Sequence, residues 1–236
     1  MHRLLTRLSR HLQGFSHQQA LARLKNEFGF TPEIIYDIGA YHGNWTKLSR
    51  RIYPDAQYFL FEANPEHASM LQSTGERHFI AALAEKDGAQ ADFYTPRNAG
   101  ATGASFFREQ TIHYQGGSLC VVPLTTRRLD MLVQEYGLPS PDLIKLDVQG
   151  SELTVLRGAG DLLNTCSAIV AELSFIQGNE GAPQASEVMT RSREFGFEPV
   201  DICKIRRAAT GNPVQVDMLF VNRSLYQKYW KAAGLM

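Results

Sequence analysis

Residues 34–45 read IIYDIGAYHGNW: an apolar run, an aspartate within it, two glycines four positions apart, and then the start of a helical segment. A run that is apolar at successive positions has to be covered on both faces, which places it inside a parallel sheet rather than at a half-solvated surface. Gly39 permits a sharp exit from the strand, and a small molecule binds at such strand ends in open α/β sheets. This one segment therefore restricts the chain to alternating strands and helices, and raises the question of which small molecule the turn holds.

The rest of the pattern agrees. Residues 44–51 read as the following helix, and 58–61 as a second strand ending at Glu62 and Ala63. Asn64 suits the cap of a helix that begins with Pro65. Strands are expected at 79–83, 91–94, 119–124, 143–148 and 168–173, with helices at 126–136, 151–163 and 184–195. Residues 197–202 and 214–221 read as an antiparallel pair joined by a basic turn carrying Lys204, Arg206 and Arg207. The expected architecture is α/β, a mainly parallel sheet with helices on both faces. It comprises an N-terminal helical extension over 1–30, with a second helix near 17–28, and one domain over 31–236.

Lys plus Arg and Asp plus Glu both number 24, so the formal net charge is zero and a dedicated nucleic-acid binder is not expected. The three cysteines (Cys120, Cys166, Cys203) are odd in number and far apart, which favours a reducing, cytoplasmic compartment. No apolar run of about 18 residues is present, so no membrane-spanning helix is expected. Residues 1–15, MHRLLTRLSRHLQGF, place leucines on one helical face and arginines on the other. Such a helix docks on its own domain, on a partner subunit of a homo-oligomer, or on an anionic membrane surface.

The turn chemistry narrows the ligand. The spacing is Gly39-x-x-x-Gly43 rather than the GxGxxG of dinucleotide binders, and no GxxxxGK[ST] occurs. Asp37 disfavours a phosphate and suits an ammonium or sulfonium centre, while a ligand carboxylate can use the helix start. Glu62, 23 positions after Gly39 at the next strand end, is placed to accept hydrogen bonds from ribose hydroxyls. Together these describe S-adenosylmethionine better than NAD. The alternatives are an NAD-dependent oxidoreductase on a Rossmann-like fold and a non-catalytic cofactor-binding scaffold.

With these stretches, IIYDIGAYHGNWT, FLFEANPE, PLTTRRLDML and DLIKLDVQGSELTVLRGA, the chain resembles the FkbM family of S-adenosylmethionine-dependent methyltransferases from about residue 33 to about residue 222. The resemblance implies a Rossmann-like class I methyltransferase domain with a seven-stranded sheet and an antiparallel last strand. It also implies O-methylation of a sugar-like or secondary-metabolite hydroxyl. Carried onto this sequence, the cofactor contacts fall on Asp37, Gly39, Tyr41, Asn44, Glu62, Ala63, Ala82 and Asp147. Adenine is then read mainly by backbone groups of residues 81–85.

In DLIKLDVQGSE, Leu143, Lys145 and Asp147 share one strand face. A lysine and an aspartate inside a sheet are costly unless paired. If the strand over 168–173 is the neighbour, Glu172 sits beside Asp147. Asp147 is the first candidate to orient or deprotonate the acceptor, Glu172 the second, and Lys145 their partner. Glu152, behind a Ser151 cap, faces the same place. The carboxylates lack the partner set of a divalent-metal site, so no metal is expected. The loop over 95–118 supplies Arg97, Asn98, Thr102 and Ser105 for a hydroxyl-rich acceptor, with Phe106, Phe107 and Tyr114 for a ring face. His113 in that loop is a further candidate. Arg108, Arg127 and Arg128 keep a nucleotide-linked sugar open.

Overall fold

The computed structural model describes residues 15–97, 103–110 and 119–232. The amphipathic stretch 1–15, Phe15 apart, lies outside the described residues, as do Asn98, Thr102, His113 and Tyr114. In chain order the elements are α1 (His17–Phe28), β1 (Ile34–Ile38), α2 (Asn44–Arg50), β2 (Gln57–Glu62), α3 (Ala68–Gln72), β3 (Arg77–Ile80) and β4 (Ala82–Leu83). They continue with β5 (Gln90–Pro96), β6 (Leu119–Arg127), α4 (Leu129–Tyr136), β7 (Leu143–Leu146), α5 (Glu152–Ala159) and β8 (Ala168–Ser174). α6 (Ala185–Ser192), β9 (Phe197–Arg207), β10 (Pro213–Asn222) and α7 (Arg223–Ala232) complete the chain.

Seven strands form one Rossmann-like sheet in the order β3-β2-β1-β7-β8-β10-β9. All neighbours are parallel except β10, which runs antiparallel between β8 and β9. This is the seven-stranded sheet with an antiparallel last strand that the resemblance implies. Strand alternation sorts the side chains into two cores. Tyr36, Ile38, Phe59, Phe61, Ile144 and Leu146 meet α4, α5 and α6 on one face. Ile35, Tyr58, Leu60, Leu143, Val170 and Leu219 meet α1 and α7 on the other. Each such side chain contributes about 1.5–3 kcal/mol when fully buried.

Several local expectations are corrected. The strand expected at 79–83 is split: β3 pairs with β2, whereas β4 pairs with β6 in a separate three-stranded sheet. That sheet also takes β5, so the strands expected at 91–94 and 119–124 never join the main one. β6 runs on to Arg127 because Thr126 and Arg127 pair with Ala82 and Leu83, which delays α4 to Leu129. The basic segment is no turn: Lys204, Arg206 and Arg207 lie within β9, paired with β10, and the reversal comes after them. The terminal α7 has no counterpart in the strand–helix reading. Asn222 caps it, accepting from Leu225 N–H at 3.0 Å, and Tyr229 stacks on Phe28 of α1 at 4.3 Å between ring centres.

One helix position tests how tightly the layers meet. A Cβ on Gly158 of α5 would lie 2.2 Å from the Ala84 carbonyl oxygen. Gly→Ala in an open helix interior stabilises by roughly 1 kcal/mol. Here the sign reverses, and Gly158→Ala is expected to cost about 1–3 kcal/mol through overpacking. The midpoint of urea unfolding measures it, and an increased midpoint would contradict the contact.

Candidate active site

The chain steps outward from β1 to β3 and then returns to β7, so the strand order reverses between β1 and β7. Ligands collect at such a switch point, beyond the carboxyl ends of the strands. A cavity of about 980 Å³ opens there. Gly39, Tyr41, Asn44, Glu62, Ala63, Lys145, Asp147 and Glu172 line it, whereas Asp37 and Ala82 do not.

Gly39 has a φ of 72°, and a Cβ on it would lie 1.9 Å from the Asp147 carbonyl oxygen. The glycine is thus required by the neighbouring strand end as well as by any ligand. Asp147 N–H donates to Ile38 O at 3.0 Å, and Gly39 N–H to Phe61 O at 2.9 Å, so the turn is held from both sides. Asp37 lies beneath it, fully buried. Thr46 Oγ1 donates to its Oδ2 at 2.6 Å, and Lys145 Nζ stands 3.2 Å from its Oδ1 without a well-aligned hydrogen bond. Asp37 is therefore the counter-ion of Lys145 rather than a group facing a ligand, because a residue inside the strand points into the layer below. Ala82 is turned away for a similar reason: it belongs to β4, and its neighbours Ala81 and Leu83 face the cavity instead.

Lys145 donates to Gly39 O at 2.8 Å and lies 3.6 Å from Asp147 Oδ2. Burial opposes its charge, yet the carboxylates of Asp37, Asp147 and Glu172 hold its pKa above the ordinary lysine value. It stays an ammonium and cannot serve as a proton acceptor. Glu62 reaches across from β2. Its Oε2 accepts from Tyr41 N–H at 2.8 Å and its Oε1 from Asn64 N–H at 2.9 Å. A carboxylate has about four acceptor sites, so two remain for a ligand. Tyr41 is held at a φ of 51°, uncommon in a non-glycine residue.

The two candidate acids are brought together by a residue not singled out from sequence. Gln149 Nε2 donates to Asp147 Oδ1 at 2.8 Å and to Glu172 Oε1 at 2.6 Å. Gln215 Nε2 adds a bond to Glu172 Oε1 at 2.8 Å. Desolvation, then the charges of Asp147 and Asp217, push Glu172 up to about 8. Glu152 does something else. Its Oε1 accepts from the N–H groups of Val148 and Gly150 at 3.3 and 3.2 Å and so closes the turn after β7. Burial pushes it up to about 7. Ser151 makes no capping hydrogen bond, contrary to expectation, because Glu152 already occupies the turn.

The acceptor-side wall is also rearranged. Gly103, Ala104, Phe106 and Glu109 line the cavity, but Ser105 is buried and donates to Gln149 O at 2.7 Å. Phe107 packs near Gly150 instead. Arg127 and Arg128 are engaged by Asp87, Glu135 and Asp130, away from the cavity. In their place Lys204, Arg206 and Arg207 of β9 line the cavity. Asp217 and His17 were missed as well. His17 Nε2 bonds Asp217 Oδ2 at 2.6 Å, while Trp45 Nε1–H donates to His17 Nδ1 at 3.2 Å. Indole nitrogen only donates, so the proton of His17 is on Nε2. The polar alternation of Gln215 and Asp217 in an otherwise apolar strand is the signal that could have found that face.

Comparison with known proteins adds relatives to this geometry. The family described as Methyltransferase FkbM domain matches residues 37–199. The 2-O-methyltransferase NoeI of Sinorhizobium fredii is 30% identical over 162 residues, covering 63% of this chain and 66% of that protein. The hexuronic acid methyltransferase AglP of Haloferax volcanii is 24% identical over 160 residues, covering 66% and 62%. The chain thus spans somewhat less than two thirds of the length of these curated relatives. The solved N-methyltransferase NodS from Bradyrhizobium japonicum, in complex with S-adenosylhomocysteine, aligns at a TM-score of 0.46 and 12% identity, over 88% of this chain and 86% of that one.

The ion pair beneath the turn gives a direct test. Lys145→Met leaves the Asp37 charge buried and unpaired, at an expected cost of about 3–5 kcal/mol. Adding Asp37→Asn is expected to restore most of that loss. Urea unfolding of both variants checks it, and a single variant as stable as the native chain would remove the pair from the account.

Proposed function

We propose that this chain, which belongs to the methyltransferase FkbM family, transfers a methyl group from S-adenosylmethionine to a hydroxyl of a sugar. The observation that carries this reading is the layout of carboxylates: Glu62 on one side of the cavity, and Asp147 and Glu172 on the other, joined through Gln149.

The residues present fit such a cofactor. Glu62 retains acceptor sites for two ribose hydroxyls, and Phe61, Ala81 and Leu83 offer an apolar surface for a base. Asp147, with a side chain 38% exposed, is available to an ammonium group in a way that Asp37 is not. When bound, the cofactor supplies an electrophilic methyl group on a positively charged sulfur. The chain's own contribution is to fix the acceptor oxygen in line and to remove its proton. Glu172 suits proton removal best. Its raised pKa makes it a stronger base than an ordinary carboxylate, and the two amides bond Oε1, leaving Oε2 without a hydrogen bond among the described residues. Asp147 orients, and Lys145 holds Asp147 and the Gly39 carbonyl in place. With the methyl group supplied by the bound cofactor, the proton of the acceptor hydroxyl would pass to Glu172.

The O-directed reading and the sugar acceptor draw support from the relatives, one named a 2-O-methyltransferase and the other a hexuronic acid methyltransferase. Within sugars, the wall itself favours an acidic one. Lys204 and Arg206 are exposed on the cavity and make no ion pair among the described residues. The neighbouring Arg207 is turned to Gly211 O at 2.9 Å.

Two measurements test the proposal. Calorimetry is expected to show binding of S-adenosylhomocysteine, weakened by about 1–3 kcal/mol in Glu62→Ala, the loss of a charged hydrogen-bond partner. Binding of NAD in its place would turn the reading to an oxidoreductase, and binding without any transfer to a scaffold. Labelled cofactor is then offered with neutral hexoses, hexuronic acids and amines. Label is expected on sugar oxygen, at a rate that rises with pH through about 8 as Glu172 loses its proton. Glu172→Gln is expected to remove that limb. Label on nitrogen alone refutes the proposal.

A further inference from the structure

We propose that Gln149 is a positioning residue that couples the acceptor-side wall of the cavity to the two acids. The inference rests on the reading that Glu172 accepts the proton, and concerns how that carboxylate is held ready.

Gln149 is the second residue after Asp147 on the exit from β7, and its φ of 51° is one of two positive values at non-glycine positions among the described residues. The other, Tyr41, also lines the cavity. A left-handed glutamine persists only where surrounding contacts impose it, and such residues collect at functional sites. The contacts are in view. Its side-chain nitrogen bridges Asp147 and Glu172, donating to one oxygen of each. Its backbone carbonyl accepts from Ser105 Oγ and from Asn179 Nδ2, both at 2.7 Å.

Those two donors come from different segments. Ser105 is bridged to Tyr94 of β5, N–H to O at 3.0 Å and O to N–H at 2.8 Å. The segments are also bonded to each other, Gln110 N–H to Gly178 O and Glu180 N–H to Arg108 O, both at 2.8 Å. Gln149 therefore sits where residues 103–110, the segment after β8 and the two acids meet. With Ser105 and Asn179 in place, the carbonyl is held, the backbone keeps its left-handed turn, and the amide is aimed at the acids. Loss of these two donors frees the turn to relax and withdraws the amide from Glu172. An acceptor that packs against Phe106 and Glu109 would thereby stabilise the proton acceptor in its working orientation.

The electrostatic surroundings of Glu172 are shared among several elements, so the effect of Gln149 has to be separated from theirs. Asp147 and Lys145 face it from β7, Asp217 from β10, Arg206 and Lys204 from β9, and His17 from α1 through Asp217. A change at the Gln149 side chain leaves Lys145, Asp217, Arg206, Lys204 and His17 in place, and takes the same donor from Asp147 Oδ1 as from Glu172.

The test needs no acceptor. In protein labelled with ¹³C at the glutamate side-chain carboxyls, NMR titration follows Glu172 directly, assigned by its loss in Glu172→Gln. Gln149→Leu removes the donor, and the Glu172 titration is expected to move up by about one pH unit, the worth of a hydrogen bond to a charged group. The double variant Ser105→Ala, Asn179→Ala leaves the amide in place but frees the carbonyl. It is expected to move the titration in the same direction by a smaller amount, with S-adenosylhomocysteine affinity unchanged within about threefold. If Gln149→Leu does not fold, the double variant decides alone. A Glu172 titration unmoved in the double variant, or in a folded Gln149→Leu, overturns the inference while leaving the methyltransferase reading intact. A native Glu172 that titrates like an ordinary carboxylate overturns both the inference and the role of Glu172 as base.

Discussion

The buried charge pair of Lys145 and Asp37 is the constraint on which the site rests. Both side chains lie in the middle of the sheet, and neither is tolerable there without the other. Their adjacency follows from the parallel register of β1 and β7, in which Asp37 stands opposite Lys145. Thr46, the third member, comes from α2 and ties the helix after the turn to the same pair. Packed hydrophobic residues of similar volume would serve stability as well or better. What the ions provide is direction: the ammonium is pinned between Asp37, the Gly39 carbonyl and Asp147, and fixes the turn and the carboxylate above it.

From that anchor the polar groups continue across the sheet. Glu172 of β8 stands opposite Asp217 of β10, which stands opposite Lys204 of β9. Ser174, Gln215 and Arg206 form the next row outward. The antiparallel β10 is what makes these rows. Its insertion between β8 and β9 brings polar residues from the last hairpin to the cavity, next to acids that come from the parallel half. One end of the sheet thus holds the Glu62 side of the cavity, and the other holds a mixed wall of acids and cations.

Much of this was legible in the chain. The Gly39 turn, Glu62 at the next strand end, the shared face of Lys145 and Asp147, and Glu172 in the neighbouring strand are short-range features. They follow from strand periodicity and from the alternation of strands with helices. The second sheet was not legible, since β4, β5 and β6 have the same local pattern as strands of the main sheet. Pairing partners, rather than propensity, assign them. Nor was the true place of the basic segment legible, because a run of Lys and Arg reads equally as a solvated turn or as the polar face of an edge strand.

The sequence by itself determined that this chain builds a doubly wound sheet with a ligand-binding turn after its first strand, and that acids stand at the ends of three of its strands. Tertiary structure alone decided what each acid does. Asp37 became a counter-ion, Glu152 a turn closure, and Glu172 a carboxylate pushed up beside Asp147 and Asp217. It also decided that Gln149, unremarkable in a string of letters, would join two acids to two loops. The physical reason is range. Periodicity acts over a few residues and sets which face a side chain takes. The groups that shift a carboxylate's pKa or aim an amide come from distant segments: Ser105, which holds the Gln149 carbonyl, lies 44 positions away in the chain. Such partners are met only once the strand order is complete.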